Sequence, residues 1–328
     1  MNLNLESLIP ARVAARLEEG NFGVADPLLG VDGPPIPSAL EVRDLIEDFR
    51  EMLFPGLTDG RSRKSARSRA EIEERLNHIH VRLSRQIEMA RLATSAHDSA
   101  DRFEPTSGYS ARASQALLAE LPRLRLALVE DAAAAVAGDP SAKSVAEVVL
   151  CYPGHFAITV HRLAHILWNL KVPLLPRMMT EHAHRVTGID LHPGAHIGAF
   201  FFIDHGTGVV VGETSIIGAR VRIYQGVTLG ALSVPTAEVE RLRNGPKRHP
   251  TLEDNVIIYA GATILGGDTI VGKDSIIEGN AWVVKSVPPG ARVTAQVEVH
   301  VRVSPPRVRT SRRKTSVDHV DDWVEVRR

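Results

Sequence analysis

A six-residue period between Gly188 and Pro289 constrains this chain more than any other feature. Apolar residues fall at Val211, Ile217, Ile223 and Leu229, again at Leu252, Ile258 and Ile264, and after a one-residue slip at Val271, Ile277 and Val283. Two positions before them stand mostly small or β-branched residues, among them Ser215, Val221, Val227, Val256, Ala262, Thr269, Ser275 and Ala281. A helix repeats its apolar residues at three and four, and a half-buried strand alternates. A period of six fits neither. It fits a parallel β-helix in which three hexapeptides close one triangular coil, the apolar residue pointing inward and the small one letting the chain turn the corner. Leu191, Ile197 and Ile203 keep the period in an earlier phase, so the phase changes at Asp204–Gly208. Residues 231–250 interrupt it again, and long insertions in repeat folds leave as loops on one face, often the binding face.

Upstream the pattern is helical. Ser38 with Glu41 reads as a capping box, followed by Leu40, Val42, Leu45, Ile46, Phe49 and Leu53 and stopped by Pro55-Gly56. Further helices are predicted over 70–95 and 111–137, the second ending in Ala132–Ala135 before Gly138-Asp139-Pro140. The segment Ala146–Asn169 carries His161 and His165 at i,i+4. That spacing can hold zinc, but the glutamate of a His-Glu-x-x-His motif is missing, so a packed helix–helix interface is expected. His78 and His80 point to different helical faces and are expected to be structural. Cys151 is expected to be buried as a small hydrophobe. Residues 60–70 read as a solvated basic connection, and the Pro- and Arg-rich run 305–314 as part of a mobile tail.

The expected class is therefore α+β. An α-helical N-terminal domain over 1–187, with 1–37 as an arm or linker, precedes a left-handed parallel β-helix over 188–290 with a loop at 231–250. A C-terminal tail covers 291–328. Formal net charge is zero, which offers no electrostatic handle for nucleic acid or a membrane surface. No apolar run is long enough to span a bilayer, and no basic run followed by an apolar core opens the chain. A single cysteine excludes an internal disulfide and suits a reducing compartment, so the expected address is the cytoplasm.

Asp190, His192, Asp204, His205, Arg248 and His249 gather around the two interruptions of the repeat. A hydroxyl is a weak nucleophile and needs a base near neutral pH, for which histidine is the usual choice. The base improves when a carboxylate holds its other nitrogen. His205 and His192 are the candidate bases, and Asp190 and Asp204 the candidate orienting partners. Their separations are somewhat under one coil of roughly 18 residues, and the phase slip can bring them onto neighbouring corners. Arg248-His249 can return from the loop to hold a carboxylate.

Residues 139–290 resemble bacterial and plant serine O-acetyltransferases, members of the hexapeptide-repeat acyltransferases. The resemblance rests on Gly-Ile-Asp-Leu-His-Pro at 188–193, Asp-His-Gly-Thr-Gly-Val-Val-Val-Gly-Glu-Thr at 204–214, Gln-Gly-Val-Thr-Leu-Gly at 225–230, Lys-Arg-His-Pro at 247–250 and Gly-Ala-Thr-Ile-Leu-Gly at 261–266. His-Arg-Leu-Ala-His-Ile-Leu-Trp at 161–168 joins them. It implies transfer of an acetyl group from acetyl-CoA to the hydroxyl of L-serine, giving O-acetylserine for cysteine synthesis without an acyl-enzyme. By motif, His205 resembles the general base and Asp190 its orienting carboxylate. Asp204, Arg248 and His249 resemble the groups that hold serine, and Asp139 a further serine-binding carboxylate. Acetyl-CoA is expected in the groove between solenoids of adjacent subunits, with Gly230, Ala231, Ala260 and Lys285 as candidate contacts.

The implied assembly is a homotrimer or a dimer of trimers, and no metal, nucleic acid or membrane is expected. The family's partner, O-acetylserine sulfhydrylase, commonly captures a C-terminal peptide ending in isoleucine. This chain ends Val326-Arg327-Arg328, which puts that complex in doubt. The insertion before Lys247 and the N-terminal 110 residues are longer than the family's common form. Other readings stand beside this one: an acetyltransferase of the same fold acting on another hydroxyl or amino acceptor, a solenoid zinc enzyme of carbonic-anhydrase type using His192, His205 and His249, and a non-catalytic scaffold.

Overall fold

The computed structural model describes residues 34–57, 68–95, 108–232 and 246–295. The start of the expected arm, most of the basic connection, residues 233–245 of the insertion and the tail from 296 lie outside the described residues. The chain divides into two compact units, Met1–Thr294 and Ala295–Arg328, and the fold below belongs to the first.

Six helices come first among the described residues. They are α1 (Ala39–Leu53), α2 (Arg69–Ser95), α3 (Tyr109–Gly138), α4 (Val145–Cys151), α5 (Pro153–Asn169) and α6 (Leu175–Thr187). Side-chain caps begin several of them. Ser38 Oγ accepts from the Glu41 N–H of α1, and Ser144 Oγ from the Glu147 N–H of α4. Ser68 and Glu71 cap α2 reciprocally, each side chain accepting from the other's backbone N–H. The apolar faces close on one another through Ile46, Phe49, Leu83, Ile87, Leu117 and Leu128, all buried. Leu40, counted in the apolar pattern, faces outward instead.

Pro153 lacks a donor N–H and starts α5 as its first residue, so the 146–169 segment is two helices broken at Tyr152. His161 is buried with its ring stacked on His165, whose Nδ1 lies 2.8 Å from the Pro193 carbonyl. The packed interface is therefore helix against solenoid, where helix against helix was expected. His80 Nδ1 lies 2.9 Å from Ser114 Oγ, binding α2 to α3. Cys151 is exposed, against expectation. It ends α4, whose buried positions are taken by Val148 and Val149.

After Gly188, whose φ of 70° ends α6, the chain winds into a parallel β-solenoid of about 5 turns. The first sheet stacks β1 (Asp190–Leu191), β4 (Val210–Val211), β7 (Thr228–Gly230), β10 (Thr263–Leu265) and β13 (Trp282–Val283). The second holds β2 (His196–Ile197), β5 (Ile216–Ile217), β8 (Thr251–Leu252) and β11 (Ile270–Val271). The third holds β3 (Phe202–Asp204), β6 (Arg222–Tyr224), β9 (Ile257–Ile258), β12 (Ile276–Ile277) and β14 (Arg292–Val293). The inward columns are those read from the period. Ile203, Ile223, Ile258 and Ile277 stack in register, as do Leu191, Val211, Leu229, Ile264 and Val283, and all are buried.

The first coil is longer than the second. Asp190 pairs with Val210, twenty positions on, whereas Val210 pairs with Thr228, eighteen on. The surplus is localised. Asp204 pairs with Tyr224, and the Gly226 N–H then donates to the Thr207 carbonyl as the Gly261 N–H does to Gln225. Thr207 is thus the counterpart of Gln225, and the two extra residues are His205 and Gly206.

The inward column supplies the prediction. Ile223 is wholly buried between Ile203 and Ile258. Ile223→Ala should cost about 2–5 kcal/mol, read from urea unfolding; a cost below about 1 kcal/mol would mean the column is not tightly packed.

Candidate active site

The surplus pair stands at the corner between the third and first sheets. Ile203 points inward, so Asp204, its neighbour on β3, is turned to the outer side. His205 follows with φ 57° and Gly206 with φ 88°. The Gly206 N–H donates to the Asp204 carbonyl at 2.7 Å and the Gly208 N–H to the Gly188 carbonyl at 2.8 Å. A Cβ at Gly206 would lie 2.5 Å from Ile189 Cδ1, so glycine is required there on both counts. The turn leaves the His205 side chain 76% exposed, with Nε2 3.8 Å from Asp204 Oδ1. That is an electrostatic contact, not a hydrogen bond.

Asp139, at the C-terminal end of α3, joins this corner. Its carboxylate accepts from the Tyr152 hydroxyl at 2.6 Å and from the Ser141 hydroxyl and N–H at 2.7 and 2.8 Å. These bonds, Tyr152's foremost, hold its pKa down to about 2. Burial raises the Asp204 carboxyl; His205 opposes the rise, and Asp139 adds to it. Two carboxylates and one imidazole therefore share this corner. Asp139-Pro140-Ser141 has the spacing of an Asx turn, a legible local signal. Tyr152, thirteen residues from Asp139, carries no such signal.

A second cluster occupies the corner between the first and second sheets. Thr214 Oγ1 accepts from the N–H groups of Arg248 and His249 at 2.9 and 3.0 Å. The Thr214 N–H donates to His249 Nδ1 at 3.1 Å. An accepting Nδ1 puts the proton of the neutral ring on Nε2. Burial, reinforced by Arg248, lowers the His249 pKa to about 4. A Cβ at Gly212 would fall on this ring. Arg248 pairs with Glu213, and Lys247 Nζ donates to the His249 and Gly267 carbonyls. His192 Nδ1 accepts from the Gly194 N–H at 3.1 Å, and its ring meets Trp168 edge-on. Burial again lowers its pKa to about 4. Glu213 and Thr214 lie in a quoted motif but had not been assigned a role.

The chain thus brings Asp139, Asp204 and His205 together, and separately His192, Arg248 and His249. Asp190 faces α6, where its carboxylate, Glu181 and His184 have donor atoms within 4.8 Å of one another. Glu181 is paired there with Arg177. This trio has ligand types that suit a cation, yet it includes none of His192, His205 and His249. Gly230 closes β7 and Ala231 follows it; Ala260 follows β9, all partly buried, and Lys285 is exposed beyond β13.

No protein-family model matches the chain. A plasmid-borne serine acetyltransferase of Synechococcus elongatus is 43% identical over 265 residues, covering 79% of this chain and 82% of the relative. The chain belongs to the serine acetyltransferase family. The serine acetyltransferase of Mycobacterium tuberculosis is 51% identical over 163 residues, 50% of this chain and 67% of that protein. Among solved structures, Entamoeba histolytica serine acetyltransferase 1 in complex with L-cysteine aligns with TM-score 0.65 and 32% identity over 87% of this chain and 97% of its own. Isoform 3 from the same organism, in complex with cysteine, gives 0.66 and 29% over 91% and 96%. Family and fold together bear out helices followed by a left-handed β-helix.

The hydrogen bonds to Asp139 give a test. Tyr152→Phe removes the leading cause of its low pKa, which should move up from about 2 toward the ordinary carboxylate range. A carboxyl-carbon NMR titration reads it, and an unchanged value would assign the depression elsewhere.

Proposed function

We propose that the chain transfers the acetyl group of acetyl-CoA to the hydroxyl of L-serine, giving O-acetyl-L-serine and CoA for cysteine synthesis. The observation that carries the reading, beyond family membership, is the pairing of two carboxylates with an exposed imidazole at one corner. Asp139 and Asp204 suit the ammonium of an amino acid, with Asp139 ionised across the working pH range because its pKa is about 2. Arg248 and the Nε2–H of His249 suit its carboxylate, guanidinium geometry favouring that group.

In this reading His205 takes the serine hydroxyl proton as the oxygen attacks the thioester carbonyl carbon. The tetrahedral intermediate collapses with cleavage of the C–S bond, and the thiolate takes up the proton held by the imidazolium. Asp190 is the orienting carboxylate. That role is assigned by motif: the Asp190 N–H bonds the Val209 carbonyl at 2.9 Å, tying β1 to the end of the His205 turn, while its carboxylate lies beside Glu181 and His184. Acetyl-CoA supplies the activated acyl group. The small side chains of Gly230, Ala231 and Ala260 leave backbone open to its extended arm, and exposed Lys285 offers a cation to its phosphates.

The carboxylate corner and the Arg248–His249 corner flank the first sheet, which supports a site completed between adjacent subunits of a trimer. Val210, Ile216, Ile270 and Trp282, apolar and 38–69% exposed on the outer faces of the first and second sheets, favour such an assembly. Among the described residues no helix is long and apolar enough to cross a membrane, and we assign the reaction to the cytoplasm.

Two variants test the assignment in an assay of CoA release with serine, homoserine and amino-sugar acceptors. His205→Ala should bind acetyl-CoA yet lose about 10²–10⁴ of turnover. Arg248→Lys should raise KM for serine by about tenfold. Near-normal turnover in the first, or greater activity on an acceptor without a carboxylate, refutes the reading.

A further inference from the structure

We infer that the buried Asp131–Arg162 pair positions the acceptor pocket, holding Asp139 of the helical region at a set distance from Asp204 and His205 of the solenoid. The inference rests on the proposed role of that pocket. Asp131 lies on α3 with its side chain 1% exposed, and Arg162 on α5 at 13%. They meet side-on through two bonds, Nε to Oδ2 at 2.7 Å and Nη2 to Oδ1 at 2.9 Å.

Neither group is used up by the other. Arg162 also donates to the Ile197 carbonyl at 3.1 Å and the Gly198 carbonyl at 2.8 Å. Asp131 Oδ1 also accepts from the Phe201 N–H at 2.9 Å. The pair therefore grips both ends of the corner from Ile197 to Phe201, which feeds β3. Asp204 lies three residues beyond Phe201. Asp139 lies eight beyond Asp131, about 12 Å along the same helix. Both pocket carboxylates are thus referenced to one ion pair.

The surrounding contacts leave little play. A Cβ at Gly154 of α5 would stand 2.5 Å from the Ile203 carbonyl. One at Gly138, beside Asp139, would fall on the Arg222 guanidinium, which lies over the Phe202 ring at 5.1 Å. Helix backbone and β3 meet with only hydrogen atoms between them. Stability alone does not explain the charges, since a well-packed apolar pair of similar volume is often as stable or more so. An apolar pair could not address two carbonyls and one N–H of a particular corner.

That contrast defines the experiment. The double variant Asp131→Leu/Arg162→Met removes both charges together. It should stay folded, unfolding at a lower temperature because the Phe201 N–H and the Ile197 and Gly198 carbonyls lose their partners, yet show KM for serine raised about tenfold or more and kcat/KM lowered about 10², while KM for acetyl-CoA stays within about twofold. Wild-type kinetics in the folded double variant, or an equal rise in both KM values, overturns the inference. Arg162→Lys keeps the charge opposite Asp131 but cannot donate in a fork. It should lose serine KM and kcat/KM in the same pattern to a lesser degree. If the double variant fails to fold, wild-type kinetics in Arg162→Lys overturns the inference by itself. Full activity in His205→Ala would sink the reading of the pocket; loss there with unaffected clamp variants sinks the clamp alone.

Discussion

The inward stacking of one apolar side chain on its equivalent a coil away is the constraint on which the rest depends. Each strand is two or three residues long and has no stability of its own. The columns of Ile, Leu and Val bind the coils together, and the parallel ladders follow from that register. Sliding one coil by a residue would turn its inward side chain out. Surplus residues therefore cannot sit on a face. They leave at corners, and both candidate clusters are at corners.

The two clusters differ in their electrostatics in a way that fits a division of labour. At the carboxylate corner the groups are partly open to water, and Asp139 is held ionised by hydrogen bonds. At the other, burial keeps His192 and His249 neutral, with bonds to Nδ1 leaving Nε2–H as a donor. One corner suits a cation and an attacking hydroxyl; the other suits an anion. An α-amino acid carries both charges a few bonds apart, so neither corner alone serves it. The proposed assembly of several chains rests on this complementarity more than on any single histidine.

The solenoid was legible because its signal is periodic and local: Val211 to Val283 repeat whatever surrounds them. The helices were legible for the same reason, through Ser38 with Glu41, Pro55-Gly56 and Gly138-Asp139-Pro140; the Ser68–Glu71 cap and the break before Pro153 were not read from the sequence. Within the candidate site, the motifs around Asp204 and Arg248 fall at the two corners where the carboxylate and histidine clusters form. What stayed hidden is contact across the fold. Asp131 meets the Phe201 N–H seventy residues away, and Arg162 the Gly198 carbonyl thirty-six away. No spacing rule reaches that far. Cys151 shows the converse error: its composition-based tendency to be buried yielded to its place at the end of a short helix whose inner face was already taken by Val148 and Val149.

The placement of His205 follows from the same physics. Corners of this solenoid use the left-handed conformation as a matter of course, at Gly226 and Gly261 on the same edge and at Arg220, Asn255 and Asp274 elsewhere. A positive φ at His205 is therefore not a mark of special strain. What singles it out is that it and Gly206 have no counterpart in the next coil, where Tyr224 runs directly into Gln225 and Gly226. A residue inside the regular repeat must either fill the interior or lie along a face. A surplus corner residue is under neither demand. Its side chain can stand clear of the wall while Asp204 and Gly208 on either side remain in register, so the interior columns continue undisturbed. A rigid prism that extrudes one histidine meets two requirements of a proton-transferring base, a fixed origin and an open approach, with the change confined to two residues.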